Sequence, residues 1–162
     1  MNDTALYAFE NDFVVTLRCV PMAVRFKLDA CGIKLTLRQW SRFTRDERQT
    51  LLLAPCGSLR EVEAYRERLV NLIAVRTGDV AKLLGSEGLV PWEESEATPA
   101  QVLAFAHSRK VQPPSDADWR RLTELQRFVL LKLSRDNHDN VNFVPAMREF
   151  GLIDAAPISA VA

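Results

Sequence analysis

Residues 19–35, "CVPMAVRFKLDACGIKL", decide the fold, because they satisfy the patterns of two different elements. Val20, Met22, Val24, Phe26 and Leu28 are apolar and alternate with Pro21, Arg25 and Lys27, the period of a half-buried strand. Yet no other segment supplies an obvious pairing partner, and an isolated strand leaves its backbone groups unsatisfied. Pro21 suits a first helical position, the run between holds good helix formers, and Gly32 follows as a stop. The helical reading is preferred. On such a helix the 100° step brings Arg25 and Asp29 together and sets Lys27 nearly opposite, with apolar side chains between. Arg25, Lys27 and Asp29 are therefore expected to form a buried polar network, Lys27 either snorkelling outward or meeting a carboxylate.

Helix punctuation recurs along the chain. Thr36-Leu-Arg-Gln39, Thr44-Arg-Asp-Glu47 and Ser58-Leu-Arg-Glu61 are capping boxes, in which the hydroxyl accepts from the third backbone N–H and the Glu or Gln reaches back to the cap. They predict a short helix through Trp40, a second through Leu51 to Leu53, and a longer one with Val62, Tyr65, Leu69, Leu72 and Ile73 inward and Gly78 as its end. Thr98 as cap and Pro99 at the first position predict a helix over "AQVLAFAHSRK", closed by Pro113-Pro114, with His107 favourably placed near its C-terminus. A helix from "SDADWRRL" carries Trp119, Leu122, Leu125, Val129 and Leu133 on one stripe, and "FVLLKL" makes its second half apolar on nearly every side, as in a central helix. A last helix runs from Asn142 through "FVPAMREF" to Gly151. The prediction is an all-α, compact bundle of about six to seven helices in a single domain, residues 1–151, followed by a flexible tail, 152–162. No internal repeat or low-complexity tract is evident.

The 162 residues suffice for one core without metal or disulfide staples. Lys+Arg 21 against Asp+Glu 21 gives no net charge, which argues against a dedicated nucleic-acid binder. No apolar run reaches membrane-spanning length, and "MNDTALYAFENDF" lacks the regions of a signal peptide, so a cytoplasmic location is expected. Cys19, Cys31 and Cys56 are odd in number and lack CxxC spacing, which suits reduced, mostly buried thiols. Nothing in the sequence signals an oligomeric state.

From Arg18 to Arg48 eight basic residues face three acidic ones, the clearest charge asymmetry in the chain. Arg38, Arg42 and Arg45 recur at i, i+4 and i+7 beside Trp40, so this face is a candidate partner-binding surface for an acidic protein or a phosphate. The bland reading is a solvated helix face. A helix-turn-helix is disfavoured, since the turn lacks glycine. His138 and Asn140 lie in "SRDNHDNVNF", a polar turn of unassigned role whose residue types are also ordinary turn and cap formers. No catalytic, cofactor or metal motif is present: there is no GxSxG, P-loop, GxGxxG or HExxH, and no catalytic residue or cofactor is assigned.

Two long blocks carry a family likeness. "FENDFVVTLRCVPMAVRFKLDACGIKLTLRQWSRFTRDERQTLLLAPC" (9–56) resembles the conserved nitrate reductase-associated protein family, and "LQRFVLLKLSRDNHDNVNFVPAMREFGL" (125–152), with Arg127-Phe128, Lys132-Leu133, His138, Asn140, Asn142-Phe143 and Glu149-Phe150, is similar to its second block. The resemblance implies a non-catalytic accessory protein of a molybdenum-cofactor-dependent assimilatory nitrate reductase, which would be its partner; it implies no residue roles. The alternative from the residues themselves is a small regulatory module that binds an anion or nucleic acid through the Arg18 to Arg48 region.

Overall fold

A computed structural model describes residues 6–10, 16–84, 95–135 and 140–154. The fold is all-α, with eight α-helices and one two-stranded ribbon among the described residues. The chain divides into two compact units, Met1–Leu6 with Glu10–Gly88, and Tyr7–Phe9 with Leu89–Ala162.

In the first unit, α1 (Met22–Cys31) settles the ambiguity of the deciding stretch. Its N-terminal N–H at Met22 is capped by the buried Glu10 carboxylate at 2.7 Å, and Gly32 ends it in the left-handed region at φ 69°. The stretch then does become a strand: β1 (Ile33–Lys34) pairs antiparallel with β2 (Lys82–Leu83), Ile33 opposite Leu83, a partner too short to be visible as a strand in sequence. Between them lie α2 (Leu37–Arg42), α3 (Arg45–Leu53) and α4 (Leu59–Thr77), each opened by its expected capping box with both reciprocal bonds formed. Helix α4 buries Tyr65, Leu69 and Ile73 at four-residue intervals and receives α1 and α2; α1 also packs on α3. Val24, Ile33, Trp40, Phe43 and Leu51 complete this core.

The second unit contains α5 (Ala100–Ser108), α6 (Asp116–Arg121), α7 (Glu124–Leu133) and α8 (Phe143–Glu149). Helix α7 is central, as its all-round apolarity predicts, burying Phe128 to Leu131 and Leu133 and packing on α5 and α8. The single helix expected over 116–133 is two, because Thr123 and Gln126 form a further capping box and Leu122, extended at ψ 148°, interrupts the helical bonds. This break raises the helix count above six to seven. Thr98 also differs from expectation: Pro99 holds the N-cap position, and the Thr98 hydroxyl donates to the carbonyls of Pro114 and Ser115. Asn142 is the N-cap of α8 without a side-chain cap bond.

Set side by side, the units share a local plan not evident from the linear sequence. Thr36 and Ser115 cap six-residue helices with Gln39 and Asp118 as box partners; Trp40 and Trp119 are fully buried; Thr44 and Thr123 cap the following helices; Arg48 and Arg127 come next. The preceding helices, α1 and α5, are each followed by a positive-φ residue, Gly32 (69°) directly after α1 and Lys110 (57°) two residues after α5.

Candidate functional site

Two cations of the basic segment, Lys27 and Arg48, are committed to holding the fold. Lys27 extends its stem across Tyr65, with the ammonium 5.8 Å from the ring centroid, and donates to Leu52 O at 2.6 Å and Ala54 O at 2.7 Å. These are carbonyls at the C-terminus of α3, where a cation meets the negative end of the helix dipole. Arg48 does the same for α2, donating to Trp40 O, Ser41 O and Leu17 O. In the second unit Arg127 donates to Leu122 O, just past α6. Arg25 is exposed and donates to Val20 O, while Lys27 and Asp29 are half-buried. Of the three residues expected as a buried polar network, Arg25 is exposed and Lys27 donates to backbone carbonyls.

The proposed contact surface also separates into parts. Trp40 is 0% exposed, and its indole N–H donates to Leu17 O at 2.8 Å, so it belongs to the core and presents nothing to a partner. Arg38, Arg42 and Arg45 are exposed. The i, i+4, i+7 spacing does not place all three on one helix, since α2 ends at Arg42 and Arg45 opens α3. The guanidinium groups of Arg38 and Arg42 make no hydrogen bond or ion pair among the described residues.

Those two groups line a cavity of about 200 Å³ together with Gln39, Arg76, Thr77 and Asp79. Arg76 enters from the last turn of α4 and is held by Glu47, Nη2 to Oε1 at 2.6 Å. That guanidinium is the main reason the Glu47 carboxyl lies below its ordinary range. Gln39 Nε2 donates to Asp79 at 3.2 Å, and the Thr77 hydroxyl donates to Ile73 O. Nothing in the sequence marks Arg76 or Asp79; an arginine in a final helical turn is unremarkable by itself, and only the packing of α2 on α4 brings it to Arg38. A broader depression of about 610 Å³ on one face of α4 is lined by Glu63, Arg66, Glu67, Val70, Asn71 and Ala74, whose mixed charges favour no single ligand sign.

His138 lies outside the described residues. Asn140 is half-buried, and its amide donates to Arg135 O. Among the described residues no group of three or more His, Cys, Asp or Glu side chains is placed to hold a metal ion. All three cysteines are free; only Cys31 is buried, which pushes its thiol up to about 11, while Cys19 and Cys56 are half-buried. No helix among the described residues is long and apolar enough to cross a membrane.

The chain belongs to the conserved nitrate reductase-associated protein family, whose model matches residues 6–150. No curated protein and no solved structure matches it.

Proposed function

We propose that the chain is a non-catalytic accessory protein of a molybdenum-cofactor-dependent assimilatory nitrate reductase, binding that polypeptide and assisting its maturation or activity. The observation that carries this reading is the family match over nearly the whole chain. The contact is assigned to the exposed guanidinium groups of Arg38 and Arg42, with Arg45 beside them at the start of α3. Two unpaired cations on a rigid, box-capped helix suit an acidic surface, because the fork of an arginine matches a carboxylate with two parallel hydrogen bonds. Trp40 contributes by fixing α2 from beneath.

Co-purification tests the proposal. Tagged wild-type chain should retain nitrate reductase from a lysate of nitrate-grown cells, and the Arg38→Glu/Arg42→Glu variant should lose at least tenfold in affinity, the scale of two reversed charges facing an acidic patch. Failure of the wild type to retain the reductase would remove direct binding, and equal retention by the variant would move the contact elsewhere.

A further inference from the structure

The two units act as controls for one another, and the contrast isolates what is particular to α2. Arg38 stands where the second unit has Ala117. Arg42 stands where Arg121 is neutralised by an ion pair with Asp118. At the position of Asp118 the first unit has Gln39, which still completes the capping box but brings no charge, and whose amide turns to Asp79. The same scaffold is thus charge-balanced in one unit and left cationic in the other. The difference falls at the cavity of about 200 Å³, which Arg76 closes from α4.

Size and charge define what fits. The cavity is smaller than the roughly 300–1,000 Å³ of pockets for drug-sized ligands, so it admits a few heavy atoms and not a nucleotide. Of the three guanidinium groups, Arg76 is matched by Glu47 through Nε and Nη2, and Asp79 offsets a second, leaving a single net positive charge. We infer that this cavity is a binding site for a small monovalent oxyanion, held by the free N–H groups of Arg38 and Arg42 and closed by Arg76. The inference goes beyond docking to the reductase and is tested on the isolated chain.

The probes are sodium nitrate and sodium sulfate, titrated against sodium chloride at constant ionic strength, with the arginine Hε resonances and thermal stability as readouts. Nitrate should shift the Arg38 and Arg42 resonances saturably and raise the melting temperature with ligand concentration. Arg38→Ala and Gln39→Asp each install the residue the second unit already carries, so the local plan accommodates them; each should weaken binding about tenfold. Glu47→Gln, again the second unit's choice, frees Arg76 and should tighten it, while Arg121→Ala should leave it unchanged. No saturable response beyond chloride, or an equal response in the Arg38→Ala/Arg42→Ala variant, would overturn the site. A response to sulfate stronger than to nitrate would overturn its assignment to a monovalent anion.

Discussion

Replacing Lys27 by methionine removes one ammonium and keeps the apolar stem, and the structure says what that ammonium does. It closes two carbonyls, Leu52 O and Ala54 O, at the end of α3. A hydrogen bond to a charged donor contributes about 1.5–3 kcal/mol net, and a cation at a helix C-terminus about 0.3–1 kcal/mol. Lys27 is half-buried, so water reaches the vacated carbonyls in part and recovers some of that loss. The expected cost is therefore about 2 kcal/mol, which for a chain of this length lowers the melting temperature by about 4–8 °C. Urea denaturation followed by far-ultraviolet circular dichroism measures it, with Lys34→Met, an exposed lysine, as the control. A loss below about 0.5 kcal/mol, equal to that of an ordinary surface substitution, would show that water caps α3 as well as Lys27 does.

Other consequences follow from single contacts. Tyr65→Phe strips the donor at 2.9 Å from the buried Leu51 O and should cost about 1–2 kcal/mol in urea denaturation. Gly32→Ala meets no atom within 4 Å, so its cost of about 1 kcal/mol is purely that of positive φ; Lys110→Gly, at the positive-φ residue that follows α5, should instead stabilise by a similar amount, both read from melting temperatures. Glu47 titrates below its ordinary value of 4.5 because of Arg76, so the stability it contributes is complete above that value and is lost as pH falls through the lowered one. Glu47→Gln keeps the capping bond and should flatten the decline of the urea midpoint as pH falls below about 4.5.

What the sequence revealed was local. The boxes at Thr36, Thr44 and Ser58 are three-residue relations, and each formed as read, which placed the starts of α2, α3 and α4. Gly32, Gly78 and Gly151 all adopt positive φ after helices, for the same reason. Thr123 is hidden in the sequence because the apolar stripe from Trp119 to Leu133 continues in register across the break. Pairings over longer distances left no local trace. Glu10 caps α1 from outside it, Lys27 finds carbonyls beyond residue 50, and Arg48 reaches back to Leu17. The candidate site suffered most from this. Sequence located Arg38 and Arg42, yet which cations are satisfied by the fold, and that Trp40 lies beneath them, depends on the packing of α2 against α4 and on the carbonyls each side chain reaches.

The claim that this chain serves nitrate reductase is tested most directly in a strain lacking it, complemented with wild type or with Arg38→Glu/Arg42→Glu. The measurement is nitrate reductase activity per unit of reductase polypeptide, with molybdenum content determined on the same purified enzyme. The account predicts low specific activity in the deletion, restoration by wild type and failure of restoration by the double variant. Normal metal alongside low activity assigns a subunit-like role, and low metal a role in cofactor insertion. Full specific activity in the deletion strain would contradict the account.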